Sequence, residues 1–407
     1  MSKKINVKHL AIVWENQEIG GVASYLNFIL RNHLFRKFNI TVYTNTENKA
    51  HNILRLKLKN FNNINYVNYW SFLNFQNNLF IFKFLNYLGR PFLFFLQFLL
   101  FKFIFLNKKF DLIIGLCGGY GTFRSEPAAL LAYKKKSIKS LIVCHNTSGF
   151  PKFQRFILNL IDRFLSREIF SIISISKATR NSLMNETNLF KENKILKNSV
   201  IYLGIPKIKI KKNKIIKELK KVNKDIYNIG ILSRIEEYKG HEDLLMAYAN
   251  LSDKKKHKFM IYFIGPSKKN YKDKVLRLLK NLRIEKNVVF TDYLEAESQT
   301  IISNLDLLMS LTRDFEGFGI TLAEAMSVKV PILATKVGAI PEFLNENNSY
   351  LINPRSPSEI TLALENFISN NNLWKKRAEN AYKDFCAFYN SDVMCKNLIT
   401  HFGIDIK

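Results

Sequence analysis

Residues 305–336, LDLLMSLTRDFEGFGITLAEAMSVKVPILATK, read as a strand, a loop, a helix and a second strand. LDLLMSL (305–311) and VPILATK (330–336) are short apolar runs of the kind that form fully buried parallel strands. Between them, Asp314-Phe315-Glu316-Gly317-Phe318-Gly319 leads into Ile320-Thr321-Leu322-Ala323-Glu324-Ala325-Met326, a good helix former opening at about Ile320. Gly317 and Gly319 allow tight backbone approach. The start of the helix presents unpaired N–H groups and a positive dipole end, where a phosphate can bind. Glu316 then sits in the loop and Glu324 on the second helical turn, both able to face one cleft.

The same alternation runs outward in both directions. HLAIVW (9–14), ITVYT (40–44), FDLIIGL (110–116), SLIVCHN (140–146) and FSIISIS (170–176) read as strands of a first sheet. NIGILSR (228–234), KFMIYFIG (258–265) and NVVFTDY (287–293) join 305–311 and 330–336 in a second. Strands alternating with helices predict an α/β architecture of two doubly wound, Rossmann-like domains whose strand ends face each other across a cleft. The expected division is 1–205, a Lys-rich linker 206–226 opening at Pro206, 227–388, and a C-terminal helix over 389–407 that returns to the first domain.

The 407 residues carry 62 Lys+Arg against 33 Asp+Glu, a formal +29, so the chain is expected to attract something anionic. Nucleic acid is not the expected partner, because no zinc finger, RNP-type aromatic motif or isolated basic helix occurs. Part of the excess also matches the Asn-, Ile-, Phe- and Lys-rich usage of an AT-rich genome. The segment 79–109 packs ten phenylalanines between Phe80 and Phe105 and is punctuated by Lys83, Arg90 and Lys102. Its longest uncharged run, Pro91 to Phe101, is too short to cross a bilayer. Two readings stand: helices lying in an anionic membrane surface, or a pair of core helices on the first sheet. Four scattered cysteines and no secretion leader point to a reducing, cytoplasmic setting, with peripheral attachment to the cytoplasmic membrane face as the alternative.

Two further strand ends carry basic or glycine chemistry. Gly230-Ile231-Leu232-Ser233-Arg234 ends a strand, and Lys239 follows five residues later. A planar guanidinium and an ammonium at a strand end can neutralise a diphosphate. At the front, HLAIVW is followed by Gly20-Gly21 and a helix, a turn that lets a phosphate approach backbone amides. Gly118-Gly119, after FDLIIGL, precede Arg124 and form a candidate acceptor loop, with a phosphate of a lipid-linked acceptor on Arg124 and a simple tight turn as alternatives.

In this order and spacing the elements resemble retaining glycosyltransferases of family 4, the large GT-B group. Further matches are Gly265 in IGPS, VVFTDYL (288–294) and Gly338-Ala339-Ile340-Pro341-Glu342. The resemblance is strongest over 228–345, clear at Gly20-Gly21 and weak over 45–135. It implies a nucleotide diphosphate sugar as donor, no metal or other cofactor, and a lipid-linked or glycan acceptor. Gly20, Gly21, Arg234, Lys239 and Gly265 would lie by the diphosphate, with Gly317, Phe318, Gly319, Ile320 and Thr321 forming the turn beneath it. Glu316 would contact the donor sugar, Glu324 the ribose hydroxyls, and His145 the reacting sugar; by itself a histidine at a strand end can equally be structural. The catalytic set implied is His145, Glu316, Arg234 and Lys239. No Asp-x-Asp occurs and the seven histidines form no ligand cluster, in keeping with a metal-free transfer. A GT-B epimerase or hydrolase acting on the same donor is the alternative reading. Three departures stand out. Ser233 replaces a usual glycine, Leu203 a frequent asparagine, and Lys329 a glycine that normally ends the helix carrying Glu324. The last predicts a helix end closed without a left-handed residue.

Overall fold

The computed structural model describes residues 7–16, 20–74, 80–120, 124–133, 139–145, 155–192, 196–208, 216–219, 223 and 225–404. Residues 1–6, the Lys-rich 209–215 and 220–222, the cluster at 134–138, Gly121 and Asn146 lie outside them. Contacts divide the chain into one unit of 1–204 with 391–407 and another of 205–390.

The first unit runs β1 (His9–Trp14), α1 (Gly21–Arg31), β2 (Asn39–Asn45), α2 (Lys49–Lys57), β3 (Ile64–Tyr69), α3 (Phe80–Ile104), β4 (Leu112–Cys117), α4 (Ser125–Ala132), β5 (Lys139–Cys144), α5 (Arg155–Glu168), β6 (Ser171–Ser174), α6 (Lys177–Glu186), α7 (Leu189–Glu192) and β7 (Lys197–Val200). The second runs β8 (Tyr227–Leu232), α8 (His241–Ala249), α9 (Asp253–Lys256), β9 (Phe259–Ile264), α10 (Lys269–Leu282), β10 (Val288–Thr291), α11 (Ser298–Ile302), β11 (Leu307–Ser310), α12 (Ile320–Ser327), β12 (Ile332–Thr335), α13 (Ile340–Phe343), β13 (Tyr350–Ile352), α14 (Pro357–Ser369) and α15 (Asn371–Asp384). A last helix, α16 (Ser391–Phe402), belongs to the first unit, where the Gly204 N–H meets Met394 Sδ at 3.1 Å.

Both sheets are parallel and wound alike: β3-β2-β1-β4-β5-β6-β7 and β10-β9-β8-β11-β12-β13. In each, the order reverses between the first and fourth strands, the point where a doubly wound sheet opens a ligand crevice. Register follows the apolar runs: Ile12 lies between Val42 and Ile114, and Gly230 between Tyr262 and Leu308. The residues following Pro206 belong to the second unit, where Gln299 Nε2 donates to the Pro206 carbonyl at 2.9 Å and Leu219 is buried.

The Phe-rich segment forms one helix of 25 residues with Pro91 inside it, not a helix pair. One face enters the core through Phe94, Phe101 and Phe105, while Phe92, Phe95, Leu99 and Phe103 on the opposite face are exposed. The core reading therefore holds for one face of α3 only. Right-handed crossovers put α3, α4 and α5 in one layer, and α4 packs against both neighbours. Among the described residues no helix is long and apolar enough to cross a membrane.

Lys329 corrects an expectation. It takes the left-handed conformation itself, at φ 59°, and the Val330 N–H closes back on the Ala325 carbonyl at 3.1 Å. The strain of a non-glycine residue there is offset by Glu379, 2.8 Å from its ammonium, and by the Tyr382 ring beneath it.

Candidate active site

In the second unit the crevice lies where β8 and β11 end side by side. Arg234, just past β8, is half exposed; its guanidinium donates to Glu236 Oε1 at 2.9 Å and to the Tyr238 hydroxyl at 3.0 Å. A short turn over Glu237–Lys239 follows, and the Arg313 N–H ties it to the end of β11 through the Tyr238 carbonyl at 2.7 Å. Lys239 Nζ thereby reaches Glu316 Oε2 at 2.8 Å and Thr312 Oγ1 at 3.4 Å. The structure thus brings together two residues 77 positions apart in the chain. Their side chains are 17 % and 20 % exposed, dry enough for the charges to matter and open enough for a ligand to compete.

The loop carrying Glu316 is held from three sides. A Cβ on Gly338, at φ 54°, would lie 2.2 Å from the Glu316 carbonyl oxygen, so only glycine lets the two backbones meet there. The Ala339 N–H donates to that carbonyl at 2.8 Å. Phe318 is buried, its ring stacked on Phe343 at 4.9 Å, so its ring serves the core. Gly317 is also buried. Gly319 is the N-cap of α12 and supplies no side-chain bond; Ile320 and Thr321, half-buried, begin the helix with no acidic residue in its first turn. That end of α12 therefore keeps its positive dipole for an anion. Gly265, at the end of β9, has φ 137° and faces Ser233, next to Arg234.

Glu324 points elsewhere, toward α11, where the Ser298 hydroxyl donates to its carboxyl. Burial pushes that carboxyl up to about 7, with the Ser298 bond opposing and Glu297 adding to the rise. A buried carboxyl with one hydroxyl partner suits vicinal hydroxyls of a ribose.

Sequence reasoning missed three contributors here. Thr312 shares Lys239 and Glu316, and its carbonyl accepts from Thr335 Oγ1 at 2.6 Å. Arg313 forms a bidentate pair with Asp243 at 2.7 and 2.8 Å, bracing the turn that carries Lys239. Ser298 supports Glu324. The available signal was position: Thr312 and Arg313 immediately follow the strand at which the sheet order reverses.

In the first unit Gly20 is the exposed N-cap of α1, and a Cβ there would meet no atom within 4 Å. Gly21 begins the helix, with no acidic residue in its first turn. His145 follows β5 and is 8 % exposed. Its Nδ1 lies 3.0 Å from the Cys117 carbonyl and its ring meets Tyr25 edge-on at 4.5 Å. Burial pushes the imidazole down to about 4, so it is neutral at pH 7. With Nδ1–H donating to the carbonyl, Nε2 is left as an acceptor, buried and without a partner among the described residues. Gly118 and Gly119, half-buried after β4, lie beside Arg124, whose guanidinium is 4.0 Å from where a Gly118 Cβ would stand. Burial works against the Arg124 charge, and Glu126 and Glu15 sustain it. Arg124 therefore lies under the influence of carboxyl groups of its own unit.

Residues 211–384 match the family Glycosyl transferases group 1. In fold the chain is similar to HepE of Anabaena in complex with UDP and glucose, with TM-score 0.73 and 15 % identity over 97 % of this chain and 99 % of that one. The chain has the GT-B fold, and its second unit resembles the glycosyltransferases of that family. In sequence it is similar to N-acetyl-alpha-D-glucosaminyl L-malate synthase of Bacillus anthracis, 28 % identical over 55 % of this chain and 58 % of the relative. It is also similar to the capsular polysaccharide biosynthesis glycosyltransferase CapM of Staphylococcus aureus, 24 % identical over 63 % of this chain and 67 % of the relative. The chain thus spans about six-tenths of the length of curated relatives it matches. Among the described residues no group of three or more His, Cys, Asp and Glu is placed to hold a metal.

Proposed function

We propose that this chain is a glycosyltransferase, moving a sugar from a nucleotide diphosphate sugar to an acceptor hydroxyl with retention at the anomeric carbon, on a lipid or lipid-linked glycan of the cell surface. The Lys239–Glu316 pair at the end of β11, beside Arg234 and the uncapped start of α12, carries the reading. As the anomeric C–O bond breaks, its electron pair passes to the leaving diphosphate. The acceptor oxygen bonds to the anomeric carbon and its proton leaves to a phosphate oxygen or water. Lys239, Arg234 and the α12 amides meet the charge that develops, and preorganised donors of this kind are worth about 10²–10³-fold each. Glu316, freed from Lys239 when the diphosphate takes its place, is left to hold a sugar hydroxyl; in the first unit, His145 Nε2 is an acceptor for a substrate hydroxyl. The similarity to CapM favours a surface glycan as product.

The outer layer of the first unit favours a membrane-bound acceptor. Phe92, Phe95, Leu99 and Phe103 on α3 are joined by Phe156, Leu160 and Phe164 on α5, all exposed. Arg163 and Arg167 share the exposed side of α5, and Lys102 that of α3, which holds no acidic residue. Apolar rings flanked by cations fit an anionic lipid surface. Incubation with candidate nucleotide sugars and a lipid-linked acceptor in anionic vesicles is expected to yield a glycosylated lipid that keeps the donor's anomeric configuration by NMR. Release of free or epimerised sugar with no acceptor product would instead favour the epimerase or hydrolase.

A further inference from the structure

At the carboxyl end of the first sheet, two carboxyl groups exchange backbone bonds. Glu126 Oε1 accepts the Glu15 N–H at 3.1 Å, and Glu15 Oε2 accepts the Ser125 N–H at 2.9 Å. The other oxygen of Glu15 accepts the Ser71 hydroxyl, two residues beyond β3, and the Asn16 N–H donates to Asn45 Oδ1 at the end of β2. One cluster thus ties the ends of β1, β2 and β3 to the first turn of α4, at the point where the strand order reverses.

The cluster is dry and closely packed. Glu126 is fully buried and Glu15 is 6 % exposed. Gly115 in β4 makes room for it, since a Cβ there would stand 3.0 Å from the Glu126 Cβ. The second Glu126 oxygen, Oε2, is sealed and has no partner among the described residues. We propose that this clasp holds one proton and that Glu126 is a positioning residue, holding the ends of β1, β2 and β3 to the first turn of α4 only while the proton is in place. Like charges without water disfavour two carboxylates together. Facing Glu126 are Arg124 from the start of α4, Glu15 from β1, Tyr69 from β3, Cys117 from β4 and Cys144 from β5. Burial pushes Glu126 up to about 8, Arg124 opposes and Glu15 adds. Its ionisation would place a second negative charge against Glu15, and parting β1 from α4 relieves it at the expense of the crevice where the strand order reverses.

The proposal rests on the transferase reading, because its readout is sugar transfer. Wild type should lose kcat/KM above about pH 8, about tenfold per pH unit. Glu126→Gln, which keeps an acceptor for the Glu15 N–H, should stay level to pH 9.5. Glu15→Gln, which removes the charge that repels an ionised Glu126, should also remove the fall. The same alkaline fall in Glu126→Gln as in wild type overturns the proposal. So does a flattened pH dependence of melting alone, which is what a merely structural clasp gives. If no variant transfers sugar, the transferase reading fails on its own; the clasp is then overturned if melting of wild type and Glu126→Gln varies alike with pH.

Discussion

The two units share a strand order and differ in what they place at its reversal. In the second, Lys239 and Glu316 meet at a rim that solvent reaches, so a diphosphate can displace one partner of the pair. In the first, Glu15 and Glu126 meet inside, where no ligand reaches Glu126 and the carboxyl groups act on the backbone. Topology therefore selects the place for a site, whereas burial decides whether charge there recognises a ligand or holds a loop.

Breaking the rim pair should have the largest effect. Lys239→Ala is expected to lower kcat/KM by about 10²–10³-fold, read from initial rates of sugar transfer. Its melting temperature should stay close to wild type, since the pair is part-exposed. A next, smaller effect lies on the outer layer. Replacing Phe92 and Phe103 together by Ser removes two rings worth about 1.5–3 kcal/mol each when buried in lipid, so binding to anionic vesicles in a flotation assay should weaken about tenfold or more. Binding unchanged by the double substitution would deny that face to the membrane.

The buried clasp should show itself in stability as a function of pH. Glu126 is held up to about 8 in the folded chain, against about 4.3 for an ordinary glutamate in the unfolded one. Between those values the folded state binds more protons, so stability is greatest below the lower value and falls as pH rises through the upper one. Glu126→Gln should reduce that slope in thermal melts at pH 5 to 9. The smallest effect belongs to Lys329. Replacing it by Gly relieves a left-handed residue but gives up the Glu379 contact, for a net gain of at most about 1 kcal/mol by denaturant titration.

Legibility from sequence followed burial. Strands β1, β8, β9 and β11 are central, covered on both faces, and show as unbroken apolar runs. The strands without such a run, β3 (INYVNY), β7 (KNSV) and β13 (YLI), are all sheet edges, where partial exposure admits Asn, Ser and Tyr. The loop carrying Glu316 was legible because a glycine-rich turn before a helix has few other uses. Thr312, Arg313 and the Glu15–Glu126 clasp were not, because Thr, Arg and Glu at strand ends are common and only the pairing of distant segments distinguishes them. Lys329 was misread because the left-handed bend was assigned to glycine alone, when a lysine with a carboxylate and a ring to hold its ammonium can take it.

Nucleotide-dependent melting of the full chain tests the donor site most directly, with UDP, GDP, ADP and CMP compared on wild type and Glu324→Ala. Ligand at 100 times its dissociation constant adds about 2.7 kcal/mol. One nucleoside diphosphate should therefore raise the wild-type melting temperature by several degrees and the variant's by much less. No rise with any nucleotide, or an equal rise in the variant, would contradict a donor site built on Lys239, Glu316 and Glu324.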